Sequence, residues 1–238
     1  NNHKAYFIAD MEAEILRRGE VSSIIKQKTD YFIGFKSSGL IQLKYMPDSK
    51  VKYSLQSINV QSGIFCLMKD RFQDIIWVGA DGQGLYMYFT DEFSIDNIML
   101  DVPEYRVDNP VRALYQDQDQ TLWIGTKGGG ILKMFDFHPD METLPRAERI
   151  LASNSPLMDN SVYSFAPSRR KLLWIGTESG LNYYSYSQKR IQEFPVMADG
   201  KMVKYVHSVR ETNDSTLWVV SAGEGIVKII LDATSLLP

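Results

Sequence analysis

Three features of the sequence predict an all-β fold of repeated, four-stranded antiparallel sheets. A phrase reading Leu122-Trp123-Ile124-Gly125-Thr126, followed by Gly128-Gly129-Gly130, recurs with variations around Trp77, Trp174 and Trp218, and more faintly around Phe32. These anchors stand 45, 46, 51 and 44 residues apart and use all four tryptophans of the 238-residue chain. That period belongs to propellers and solenoids. Around each anchor the apolar residues are consecutive, so both faces of that strand are expected to be buried, as when sheets stack on one another.

Taken in order, each repeat yields the same four elements. An inner run (Ile64 to Met68, Val111 to Gln116, Val162 to Phe165, Tyr205 to Val209) leads through a polar turn, such as Asp117-Gln118-Asp119-Gln120, into the anchor strand. A glycine-rich segment supplies positive φ and closes a hairpin onto a third run, such as Ile131 to Phe135. A weaker fourth run follows: Val51 to Ile58, Ile95 to Leu100, Arg149 to Leu151, Arg190 to Phe194. Four short antiparallel strands per repeat describe a β-propeller blade.

At the N-terminus, Ala5 to Asp10 aligns with Asn182 to Ser187 and reads as a third strand, with Glu14 to Arg17 as a fourth. Blades are therefore expected at 1–18 (partial), 19–60, 61–105, 106–155, 156–200 and 201–238 (partial), all within one domain spanning 1–238. The unfinished ends imply a slice of a larger propeller, because an open blade exposes apolar surface. Asp101 to Pro110 and Asp136 to Arg149 are the longest irregular segments and are expected to be surface loops.

Composition narrows the function. Hydrophobic residues at 44% and aromatics at 12% suit a packed core. The net charge is −3 and no basic cluster exceeds Arg169-Arg170-Lys171, which argues against a nucleic-acid surface. The single cysteine, Cys66, lies in an apolar run and reads as a small buried hydrophobe; one cysteine leaves the redox compartment open. No apolar run approaches the roughly 18 residues that span a bilayer, so membrane attachment is expected only through a parent chain.

The hydrophobic-Trp-Ile-Gly-Thr phrase, its Gly-Leu continuation, and the preceding Asn154-Ser155-Pro156-Leu157-Met158-Asp159-Asn160-Ser161-Val162-Tyr163 resemble the two-component regulator propeller repeat. The resemblance covers nearly the whole chain, closely at Trp123 and Trp174, well at Trp77 and Trp218, weakly at Phe32. It implies a seven-bladed propeller in the periplasmic sensor region of a hybrid two-component system, in which sensor, histidine kinase, receiver and DNA-binding domain share one chain. It further implies that oligosaccharides are sensed, that the signal passes through the parent chain's phosphorelay, and that a homodimer forms through that parent chain. The repeat usually has Asp-Gly before its Leu-Trp, whereas Asp119-Gln120, Asp214-Ser215 and Arg170-Lys171 stand here, and Val220 replaces the glycine after the anchor. No kinase signature, phosphoacceptor histidine motif or helix-turn-helix is present in these residues. A freestanding protein-protein scaffold and a propeller carbohydrate-active enzyme are the alternatives.

The sequence offers no catalytic constellation and calls for no cofactor or metal. His3, His138 and His207 lack ligand spacing, and His207 lies in a strand. Gly128-Gly129-Gly130 closes a hairpin and opens no helix, so it is no phosphate cradle. The inner runs Val111 to Tyr115 and Val162 to Phe165 carry no acid for glycoside hydrolysis. A binding surface remains. Four residues past each anchor come Lys36, Asp81, Lys127, Glu178 and Ala222, a ring of varying charge expected at the channel mouth. Tyr105, Arg106, Asp108 and Asn109 from one connection, and Asn154, Asn160 and Lys201 from others, are expected on the same face. Tyr105 with Arg106 would suit a sugar, pairing an aromatic face with a polar fork.

Overall fold

Alternation along the anchor strands assigns each apolar residue to one of two neighbouring sheets. The structure, a computed structural model, describes residues 9–50, 52–98, 106–139, 145–213 and 215–231. A helix, α1 (Ala9–Arg18), precedes the first sheet of β1 (Val21–Gln27), β2 (Asp30–Phe35), β3 (Gly39–Tyr45) and β4 (Tyr53–Ile58). The second sheet holds β5 (Ile64–Lys69), β6 (Ile75–Ala80), β7 (Leu85–Phe89) and β8 (Ser94–Ile98). The third holds β9 (Val111–Gln116), β10 (Leu122–Thr126), β11 (Ile131–Met134) and β12 (Ala147–Ile150). The fourth holds β13 (Val162–Pro167), β14 (Leu172–Thr177), β15 (Leu181–Ser185) and β16 (Arg190–Phe194). A short ribbon, β17 (Met197–Ala198) with β18 (Lys201–Met202), connects to the fifth sheet: β19 (Val206–Asn213), β20 (Thr216–Ser221) and β21 (Gly225–Ile230). Every sheet is an antiparallel meander in chain order, the arrangement of a propeller blade.

Five apolar layers hold the stack together. Phe32 packs with Ile64, Leu67, Ile76 and Val78 of the second sheet, and Trp77 with Val111, Leu122 and Ile124 of the third. Trp123 packs with Val162, Leu173 and Ile175 of the fourth, and Trp174 with Val206, Leu217 and Val219 of the fifth. Each anchor ring thus faces the following sheet, while its sequence neighbours face the preceding one. Phe32, Trp77, Trp123 and Trp174 are at most 1% exposed, but Trp218 is 38% exposed. No described residue forms a further layer over it, and Ile226 and Ile230 share that open face.

The glycine of each anchor phrase has a steric reason. A Cβ on Gly34 would meet Ile64 Cγ2 at 2.7 Å; on Gly79 or Gly125 it would meet the Cγ1 of Val111 or Val162 at 2.8 Å. On Gly176 it would meet the Val206 carbonyl oxygen at 2.4 Å. All four contacts are with the first residue of the next sheet's inner strand. The fifth sheet carries Val220 in this position, and there it is 40% exposed.

The buried indoles also need an acceptor. Trp77 Nε1 donates to Asp70 Oδ2 at 2.8 Å, and Trp123 Nε1 to Asp117 Oδ2 at 3.0 Å, both acids lying in the turn before the anchor strand. In the fourth sheet Ser168 occupies that turn position, and Trp174 Nε1 instead donates to Glu211 Oε2 of the fifth sheet at 3.0 Å. The missing glycines have a counterpart as well: Gln120 and Lys171 adopt φ of 60° and 57°, the left-handed region that glycine enters freely.

One expectation fails. Glu14 to Arg17, read as a strand, belongs to α1, so no fourth strand of a preceding blade runs through them. Its residues are mostly strong helix formers, Glu14 pairs with Arg17 and Arg18 one turn on, and Gly19 at φ 89° ends the helix. Met11 and Ile15, one turn apart, cover Ile33, Phe35, Ile41 and Leu43 on the free face of the first sheet. The expected strand Ala5 to Asp10 lies mostly outside the described residues.

Candidate functional site

The five inner strands share an irregularity. In each, the pairing register slips around the second residue: between Val21 and Ser23, Ile64 and Cys66, Val111 and Ala113, Val162 and Ser164, and Val206 and Ser208. A bulge leaves its extra residue unpaired and re-aims the side chain. The re-aimed residues are Ser22, Phe65, Arg112, Tyr163 and His207. Together with Val21 and Lys36 they line one cavity of about 420 Å³ where the five sheets converge.

Two stacked pairs organise this cavity. Arg112 Cζ lies 3.5 Å from the centroid of the Phe65 ring. The Tyr163 and His207 rings are parallel to within 21°, with centroids 4.7 Å apart. Tyr163 Oη donates to Glu178 Oε2 at 2.7 Å; burial, then this bond to a carboxylate, pushes the phenol pKa up to about 12. Lys36 Nζ pairs with Glu20 Oε1 at 2.7 Å on the exposed rim. Arg112 Nε is buried without a hydrogen-bond partner. The arrangement offers aromatic faces and donor groups of a kind that suits a polar ring-shaped ligand.

The residues expected at the mouth occupy equivalent places. The backbone N–H groups of Lys36, Asp81, Lys127, Glu178 and Ala222 donate to the carbonyls of Glu20, Gly63, Pro110, Ser161 and Tyr205, each just ahead of its own sheet's inner strand, at 2.9 to 3.2 Å. Of their side chains, Lys36 lines the cavity and Glu178 reaches it through Tyr163, whereas Asp81 and Lys127 are exposed and are not part of the lining. Arg106 Nε is held by Asp108 at 2.8 Å, and Asn109 Nδ2 donates to the Lys127 carbonyl at 3.2 Å, so neither joins the lining. Tyr105, its expected companion, lies outside the described residues. Asn154 and Asn160 accept backbone N–H groups of Leu151 and Ala152 and shape their loop, and Lys201 lies in β18.

Phe65, Arg112, Tyr163 and His207 were not expected as a group. The signal was present: the inner runs open on an aliphatic residue and then a free one, as in Val21-Ser22, Ile64-Phe65, Val111-Arg112, Val162-Tyr163 and Val206-His207. Among the described residues, no three His, Cys, Asp or Glu side chains are grouped to hold a metal ion, and no helix is long and apolar enough to cross a membrane.

Residues 106–128, which run from the connection before β9 into the turn after β10, match the family profile described as "Two component regulator propeller". One two-component regulator propeller repeat is thus matched, at residues 106–128. Histidine kinase P4 of Formosa agariphila is 27% identical over 186 residues, which are 76% of this chain and 13% of that protein. The extracellular domain of a B. thetaiotaomicron protein described as a hybrid two-component system superposes with a TM-score of 0.57 at 18% identity, covering 89% of this chain and 34% of that domain. The chain thus spans about an eighth of that kinase and a third of that extracellular domain. The first four blades each contribute one glycine contact, and all five contribute one anchor ring and one bulged residue.

Proposed function

We propose that this chain is an extracytoplasmic, non-catalytic sensor segment of a hybrid two-component histidine kinase, binding an oligosaccharide in the cavity at the convergence of its blades. The supporting observation is that every blade sends one variable side chain, by the same bulge, into one shared space. Blade frameworks repeat while these five residues differ, as a recognition surface requires. The likeness to a histidine kinase and to the extracellular domain of a two-component system agrees with this reading. No carboxylate lines the cavity, whereas glycoside hydrolysis needs a pair of them. Binding would change the parent's output only through unequal affinity for two arrangements of the assembly.

Calorimetric titration of the full chain with a panel of oligosaccharides, followed by chromatography of the recovered sugar, tests this. Binding without cleavage is expected, weakened about two- to tenfold by Tyr163→Ala, since one aromatic face contributes ~0.5–1.5 kcal/mol. Cleaved sugar, or affinity indifferent to Tyr163→Ala, would overturn the proposal.

A further inference from the structure

We infer that the sugar bound in this cavity carries an oxyanion, a carboxylate or a sulfate, which Arg112 receives in charge-assisted hydrogen bonds; this rests on the sugar-binding reading above. The lining has a charge bias that the whole chain lacks. Net charge is −3, yet the cavity is lined by Lys36, Arg112, His207, the hydroxyls of Ser22 and Tyr163, and no acid. The nearby acids are engaged, Glu178 by the Tyr163 hydroxyl and Glu20 by Lys36.

Among the described arginines, Arg112 is distinguished by a buried Nε that has no hydrogen-bond partner. Arg17 and Arg18 pair with Glu14, Arg106 with Asp108, and Arg149 donates to the carbonyls of Gly129 and Arg106. Among the described residues, Arg112 has no ion-pair or hydrogen-bond partner, and its Nε is closed off from solvent. Leaving a buried charged donor unpaired is costly, and native proteins do so at few places. Stacking on Phe65 at 3.5 Å holds the guanidinium in place, so little ordering is needed when a partner arrives. A planar fork fixed in this way matches a carboxylate or sulfate better than it matches a sugar hydroxyl. The Tyr163–His207 pair lines the same cavity, so an acidic sugar would meet a ring face and a cation together.

The test titrates the full chain, as wild type, Arg112→Gln and Arg112→Lys, with three probes: trigalacturonate, a sulfated disaccharide, and a neutral galactotriose. The expected result is at least tenfold tighter binding of one anionic probe than of the neutral one, weakening with added salt. That preference should vanish in Arg112→Gln, which then binds anionic and neutral probes alike, and survive in part in Arg112→Lys, which keeps the charge and loses the fork. Whichever anionic probe is preferred names the group. If wild type binds neutral and anionic probes equally, or if the preference persists in Arg112→Gln, the anion inference fails while the sugar reading stands. If none of the three binds, the sugar reading fails and takes this inference with it. A thermal melt of each variant separates lost affinity from lost fold, and Arg112→Lys carries the test if Arg112→Gln does not fold.

Discussion

Gly125→Ala measures how closely two blades approach. The new methyl carbon would lie 2.8 Å from Val162 Cγ1, with Phe165 Cε2 at 3.1 Å and Ala113 Cβ at 3.2 Å on other sides. Ordinary carbon–carbon contact is about 3.5–4.0 Å, so the methyl and Val162 must part by about 1 Å, and the two other neighbours bar an easy sidestep. Overpacking of this kind costs about 1–3 kcal/mol, against which the stiffer unfolded chain returns about 0.4–1 kcal/mol. The net is a loss of about 1–2 kcal/mol, which for a chain of this size lowers Tm by about 2–8 °C. Gly223, with nothing within 4 Å and no positive φ, is the control: Gly223→Ala should raise stability slightly. Urea melts and thermal melts of both variants supply the comparison. Adding Val162→Ala to Gly125→Ala should show a coupling of at least ~0.5 kcal/mol. A Gly125→Ala protein as stable as wild type would refute the close-approach account of the repeat's glycine.

Further outcomes are expected elsewhere. Glu211→Ala strands the buried Trp174 N–H and should cost about 1–3 kcal/mol; Ser168→Asp, which places an acid where Asp70 and Asp117 serve the second and third blades, should restore most of it, and no rescue in a thermal melt would count against the shared role. Burial pushes the Cys66 thiol up to about 12 from its ordinary value near 9. The protonated thiol is therefore favoured by folding, and its stabilising contribution is full below about pH 9 and is lost as pH rises toward 12. Iodoacetamide at pH 8 should label Cys66 far more slowly in the folded than in the urea-unfolded chain, and equal rates would exclude the enclosed thiol. Lys171→Gly relieves a left-handed residue at φ 57° and should stabilise by up to about 1 kcal/mol, net of glycine's greater unfolded freedom; a lower Tm would contradict this.

The blades were legible because their information is local and repeated. Trp123 with Gly125, or Trp174 with Gly176, declares a strand buried on both faces, and five copies fix the period. Helix α1 escaped because the aromatic run Tyr6-Phe7-Ile8 resembles later third strands, and it drew Glu14 to Arg17 into a strand that their own side chains do not favour. Lys36, Asp81, Lys127, Glu178 and Ala222 make the same backbone hydrogen bond in all five blades, since the turn geometry repeats. Which of their side chains reach the cavity was not legible, because that depends on the bulges. A bulge leaves no mark in a single strand's composition; Arg112 and His207 emerge only when five inner strands are laid side by side. Partners such as Trp174 and Glu211, 37 residues apart and in different blades, follow from tertiary stacking alone.

The glycine contacts give the array a direction. Each blade presents a notch on one side and a branched aliphatic stud on the other, and stud enters notch four times in the same sense. In the fifth blade the isopropyl group of Val220 fills its own notch. A stud of the kind formed by Ile64, Val111, Val162 or Val206 cannot seat there, so whatever rests against Trp218 and Ile226 must join by a different fit, with its backbone held farther off than between any other pair of blades.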